Sequence, residues 1–154
     1  MKSLIIVFSY HHRNTEKIAN VFARVLDAEV KSPKEVNPED IQDYDLMGFG
    51  SGIYGDKHHK SLFDLIEKIP EVNNKKAFIF STSAMLGKSK VAKDHSKIKE
   101  KLQSKRFMIL DEFACKGFNT NSFLKYIGGM NKGRPNAEDL KHAEEFVQTL
   151  QQNL

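Results

Sequence analysis

The chain has 154 residues, 24 Lys and Arg against 20 Asp and Glu, a net charge of +4 and one cysteine. That length suits one domain, taken as residues 1–154, with a sizeable core. A lone Cys115 excludes a disulfide framework, and no apolar N-terminal segment is long enough for a signal peptide or a membrane span, so a cytoplasmic protein is expected. The positive excess is small and its lysines are spread over helix faces, which gives little ground for a nucleic-acid partner.

Leu4 to Phe8 is an apolar run with three β-branched residues, Ile5, Ile6 and Val7, as expected of a parallel strand buried on both faces. It breaks into the polar turn Ser9 to Thr15. Ile18, Val21, Phe22, Val25 and Leu26 then line one helical face, with Asn14 expected as the N-cap. Ala28 to Lys31 reads as a short strand, Ser32 to Pro38 as a turn-rich connection, and Asp40 to Tyr44 as one helical turn. Asp45 to Gly50 is a third strand. It ends in Gly50-Ser-Gly-Ile-Tyr-Gly-Asp56, and a helix through Leu62, Phe63, Leu65, Ile66 and Ile69 follows, stopped by Pro70. Ala77 to Phe80 is the next strand, ending in Ser81 to Gly87. Val91, His95, Ile98 and Leu102 mark the inner face of a further helix, with Lys93, Lys97 and Lys101 on a solvated face. Phe107 to Leu110 is the fifth strand. A glycine-containing segment runs from Cys115 to Pro135, and Asn136 caps a last helix whose Leu140, Ala143, Val147 and Leu150 face inward, with Glu138 and Asp139 suiting its dipole.

Strands alternating with helices predict a parallel sheet covered on both faces. Loops at the carboxyl ends of such a sheet form the ligand site where the strand order reverses. Three of them should converge: Ser9 to Thr15, Ser51 to His59, and Ser81 to Gly87. A strand running into a helix N-terminus attracts a phosphate, and Ser9, Arg13, Asn14 and Thr15 can add donors. The same turn read blandly is only polar. It has neither a Walker-type spacing nor a dinucleotide Gly-x-Gly-x-x-Gly. Tyr54, on a glycine-rich loop outside any apolar period, is placed to stack on a flat ring. His11, His12, His58 and His59 form adjacent pairs that diverge, and no Cys, Asp or Glu pattern completes a metal set.

These residues resemble the flavodoxin family. Phe8-Ser-Tyr-His-His-Arg-Asn-Thr-Glu16 is similar to its phosphate loop, where Gly-Asn-Thr opens the first helix. Gly50 to Asp56 is similar to its flavin-ring loop, an aromatic followed by Gly-Asp. Ser81 to Gly87 falls where its third flavin loop falls. The resemblance covers about residues 2–152 and is strongest to flavodoxin-like proteins of methanogenic archaea, which share Ser-Tyr-His-His and, after the last strand, Cys-Lys-Gly-Phe, here Cys115 to Phe118.

The resemblance implies a five-stranded flavodoxin-like sheet of order 2-1-3-4-5 with helices on both faces, and non-covalent FMN. Its implied contacts are Ser9, Tyr10, His11, His12, Arg13, Asn14 and Thr15 at the phosphate, and Ser51, Gly52, Ile53, Tyr54 and Gly55 at the ring. Ser81, Thr82, Ser83, Ala84, Met85, Leu86 and Gly87 complete it, with no catalytic side chain and no metal. Tyr10, His11 and His12 replace the family's hydroxyl residues and Arg13 its glycine. Gly55 either turns its peptide toward the flavin N5 or only makes the turn. Met85 either covers a ring face or fills the core. His58 or His59 is a candidate proton donor at mild pH, and Cys115 either lies near the site or is simply a small buried residue.

Two functions compete. One is a carrier of single electrons between redox partner proteins, acidic ones suiting a basic surface. The other is an FMN-dependent NAD(P)H oxidoreductase acting on a quinone or other small acceptor. Neither needs nucleic acid or membrane, and the chain is expected as a monomer or homodimer. A basic binding module without cofactor is a third class.

Overall fold

A computed structural model describes residues 1–10, 13–117 and 131–154. Five parallel strands form one sheet of order β2-β1-β3-β4-β5, as expected. They are β1 Ser3–Phe8, β2 Glu29–Lys31, β3 Leu46–Gly52, β4 Lys76–Ser83 and β5 Met108–Lys116, joined through α1 Asn14–Leu26, α2 Lys60–Lys68 and α3 Lys88–Ser104, with α4 Ala137–Gln152 last. The turn expected at Asp40 to Tyr44 is a 3-10 helix over Pro38–Asp43.

Alternation along the buried strands divides the core in two. Leu4 and Ile6 of β1, Met47 and Phe49 of β3, and Ala77 and Ile79 of β4 pack with Leu62, Leu65 and Ile66 of α2 and Ile98 and Leu102 of α3. Ile5 and Val7, Leu46, and Phe78 and Phe80 point the other way, onto Ile18 and Phe22 of α1 and Ala143, Val147 and Leu150 of α4. On that second face Phe22 meets Phe78, Phe80 and Phe113 edge-on at centroid distances of 5.3, 5.0 and 5.8 Å. Gly48 and Gly50 of β3 make the room, since a Cβ on either would overlap the ring of Phe78 or Phe80.

Two expectations are corrected. Arg13, not Asn14, is the N-cap of α1, and Asn14 is the first helical residue. β5 does not stop at Leu110 but continues to Lys116, so Cys115 lies within it. A register shift, in which Ala77 faces Ile109 but Phe78 faces Asp111, carries the strand past its charged pair. Asp111 and Glu112 suit an edge strand, Asp111 being exposed and Glu112 partly exposed against the middle of α3. Asn136 caps α4 as expected, its side chain and that of Asp139 satisfying each other's backbone N–H.

Candidate functional site

Register alone places the three loops side by side. Phe8 at the end of β1 pairs with Ser51 of β3, and Ser51 pairs with Ser81 of β4. The chains that leave these strands therefore start from one row, at the point where the strand order reverses between β1 and β3.

In the first loop the Ser9 hydroxyl accepts from the Glu16 N–H at 3.2 Å, while Tyr10 is 69% exposed. His11 and His12 lie outside the described residues. Arg13 adopts φ 51° and ψ 35°, the left-handed conformation natural to glycine, at the position where the resembled loop pattern has Gly. That side chain is 77% exposed, its Nε 3.8 Å from Glu16, within reach of an anion at the loop mouth. The Arg13 side chain makes no cap hydrogen bond to α1, so of the first-turn donors the Glu16 N–H is met by Ser9 while the positive end of the dipole points at the loop. Asn14 is buried against Gly117, where a Cβ would come within 2.7 Å of its Nδ2.

The second loop is a short hairpin. Ile53 and His58 form an antiparallel bridge, and the Tyr54 N–H donates to the Lys57 carbonyl at 2.7 Å. Gly55 and Asp56 between them have φ 57° and 62°, the paired positive values of a type I′ turn. Nothing lies within 4 Å of where a Gly55 Cβ would stand. Tyr54 is half-buried and crosses the His59 ring edge-on at 5.1 Å. Burial first, and then the neighbouring Tyr10 phenol, raises its pKa, which sets the first and second loops against each other. His59 in turn stacks on Phe8 at 3.6 Å and 7° and caps α2 by accepting from the Ser61 N–H. Phe8 and His59 extend the aromatic row beyond the one tyrosine that sequence reasoning singled out.

The third loop is tied to both others at Thr82. Its hydroxyl meets that of Thr15 at 2.8 Å and its carbonyl accepts from the Ile53 N–H at 3.2 Å. Ser83 closes the next turn onto the Met85 carbonyl, and Ala84 accepts from Asn131 at 2.7 Å. Met85 is 59% and Leu86 39% exposed, so Met85 does not fill the core. Gly87 begins α3. Ser51 and Ser81 turn their hydroxyls inward, Ser51 accepting from the His59 N–H at 2.9 Å. Any contact they make at the rim would come from backbone.

His58 is corrected as a proton donor. It is fully buried, bonded through Nε2 to the Phe80 carbonyl at 2.9 Å. Burial, reinforced by His95, pushes its pKa down to about 3 against the pull of the Phe80 and Asp94 carbonyls. His59 is shifted down as well, by burial and against Asp64. Cys115 is buried, and desolvation, with Asp139 adding to it, pushes its thiol up to about 12. It stays protonated and inert. Phe118 and residues 119–130 of the Cys115 to Pro135 segment lie outside the described residues.

Sequence reasoning missed a buried polar chain under the ring loop. Ser81 Oγ lies 2.7 Å from His95 Nε2, His95 Nδ1 lies 3.0 Å from Glu112 Oε1, and Lys99 donates to Glu112 Oε2 at 3.1 Å. The signal was a histidine on the apolar face of α3 and an acid in the strand beside it. Among the described residues no group of His, Cys, Asp and Glu is placed to hold a metal ion, and no helix is long and apolar enough to cross a membrane.

The donor set fits FMN. The start of α1, the Ser9 hydroxyl and the Arg13 guanidinium suit its phosphate, and a half-buried tyrosine on the second loop with two exposed apolar side chains on the third suits a planar ring. Comparison with known proteins bears on the family and the fold. The model of a family described as flavodoxin domain matches residues 5–117. An uncharacterised protein of Methanocaldococcus jannaschii is 48% identical over 153 residues, 99% of this chain and 100% of that one. The crystal structure of oxidised flavodoxin 2 from Bacillus cereus matches with a TM-score of 0.74 at 18% identity, covering 100% of both chains. A flavodoxin of Streptococcus pneumoniae TIGR4 matches with a TM-score of 0.72 at 18% identity, over 99% of each. At that identity the two structures speak to the fold.

Proposed function

We propose, from the premise that this chain belongs to the flavodoxin domain family, that it carries single electrons between redox proteins on non-covalently bound FMN. The observation that supports this most is Thr82, which ties the phosphate loop and the ring loop to the third loop at one point of the sheet. FMN would supply the one-electron chemistry. The protein's part is to hold and orient it.

The start of α1 and the Ser9 hydroxyl hold the phosphate through backbone and dipole, and Arg13 adds a charge-assisted contact by swinging from Glu16. The Tyr54 hairpin flanks one side of the ring, and Met85 and Leu86 the other. Gly55, in open space at a positive φ, is free to turn its carbonyl toward the flavin N5. The basic balance of the chain favours partners with an acidic docking face, and the family reading goes with a cytoplasmic setting.

A second reading, an NAD(P)H oxidoreductase that reduces a quinone or similar acceptor, draws support from the exposure of Met85 and Leu86. The third loop, Ser81 to Gly87, carries no aromatic residue of its own, which suits a small substrate there. Stepwise reduction followed by absorbance, with a turnover assay using NADH or NADPH plus a quinone, separates the two. One-electron reduction without turnover supports the carrier, and brisk turnover the enzyme. Arg13→Ala should weaken FMN binding by about 1–3 kcal/mol; an unchanged Kd assigns Arg13 to solvent.

A further inference from the structure

We propose that His95 takes up a proton from solvent when negative charge accumulates at the rim, so that the Ser81–His95–Glu112 chain compensates that charge from beneath the ring loop. This rests on the FMN reading above. His95 reaches the rim only through the Ser81 hydroxyl and lies against His58 below the ring loop, so it acts as a charge-compensating group rather than a catalytic one.

The geometry carries the argument. His95 is fully buried, yet both ring nitrogens are engaged, Nε2 by Ser81 and Nδ1 by Glu112. Because the Glu112 carboxylate accepts, Nδ1 carries the hydrogen and Nε2 is left as the acceptor of the Ser81 hydroxyl. A proton arriving from bulk solvent would land on Nε2, and the Ser81 hydroxyl would turn from donor to acceptor. The electron comes from a one-electron donor, so charge and protons balance.

The surroundings leave His95 poised. Ser81 faces it from β4, Glu112 from β5, Asp94 and Lys99 from α3, and His58 from the ring loop, with ring centroids 5.0 Å apart. Glu112 and Asp94 favour the charged imidazole and Lys99 opposes it. Burial is the largest influence and keeps the group neutral at rest. One further negative charge nearby shifts that balance. Glu112 is a quarter exposed beside Lys99, so the buried ring sits one residue from water. His58 cannot take this part, since it is fully buried and held far below neutrality. Above the pair, the hairpin is strapped to α3 by Lys93 and Asp56 at 3.4 Å, and its base is fixed by His58 to Phe80.

The test is an NMR titration of the histidines in the FMN-loaded protein, oxidised and reduced, together with the midpoint potential against pH. His95 should rise by about one pKa unit on reduction, a tenfold gain in proton affinity, which for a one-electron couple is 59 mV of pH-dependent potential. His95→Gln should remove that component, and Glu112→Gln should lower the His95 pKa in both states. An identical His95 titration in the two states, or potentials of His95→Gln that run parallel to wild type at every pH, overturns the proposal. If His95→Gln does not fold, the wild-type titration decides alone. Protein that carries no flavin absorbance and binds no added FMN fails the FMN reading itself, and this proposal with it.

Discussion

The two faces of the sheet solve the same packing problem with different chemistry. Toward α1 and α4, Phe22, Phe78, Phe80, Phe113 and Phe146 interlock as an aromatic core. Toward α2 and α3, a mainly aliphatic core that includes the Phe49–Phe107 pair is interrupted near the carboxyl ends of the strands by Ser81, His58, His95 and Asp94, all buried. Phe80 and Ser81 are neighbours in the chain and lie on opposite sides of this divide. The difference teaches where stability and responsiveness reside. An aromatic core has no protonation state to change, whereas buried imidazoles make stability depend on pH and couple it to charge at the rim.

The largest expected effect breaks the aromatic face. Phe80→Ala should cost about 3–5 kcal/mol in urea unfolding, since it removes a ring packed against Phe22 and Phe78 and leaves a cavity. That loss should be the same at pH 7 and pH 5.5; a loss that differs between them would blur the division between the faces.

Next comes the polar face. The pKa of His58 in the folded protein, about 3, lies below its ordinary 6.5, so the unfolded chain binds the proton first as pH falls. Its contribution is fully present above about pH 6.5 and is lost progressively toward pH 3, about 1.4 kcal/mol per pH unit in the steep region. His95, lowered in the same direction, adds to the slope. His58→Phe should flatten the pH dependence of the unfolding midpoint between pH 6.5 and 4.5, and a curve as steep as wild type would remove His58 as its source.

The smallest effect concerns the loop above that face. Gly55→Ala should destabilise by roughly 1 kcal/mol through its positive φ alone, because no atom crowds the added Cβ. Gly55→Asn should cost less, as Asn visits this conformation readily. Equal losses for both would mean that packing, not backbone, sets the price.

Much of the fold was legible because parallel strands buried on both faces write themselves as apolar runs. Leu4 to Phe8 and Ala77 to Phe80 were readable, and so was the Asn136 cap, whereas β3 runs on to Gly52 and β4 to Ser83, into stretches read as loop. β5 was misjudged at Asp111 and Glu112, since an edge strand tolerates charge where a central one does not. Asn14 has the chemistry of a cap, but the cap falls one residue earlier, on an arginine in a glycine-like conformation that residue preference disfavours. The polar chain was illegible for a different reason. Ser81, His95 and Glu112 lie on three elements, and only the sheet register and the pitch of α3 bring them together. Thr15 and Thr82, 67 residues apart, meet for the same reason.

The central claim, that three turns form one grip for a phosphorylated flavin, is tested most directly by titrating flavin-free protein with FMN and with riboflavin in parallel by calorimetry. One FMN per chain is predicted, bound at least tenfold tighter than riboflavin, since about 1.4 kcal/mol or more should come from the phosphate at the start of α1. Equal affinity for the two, or no binding of either, would contradict it.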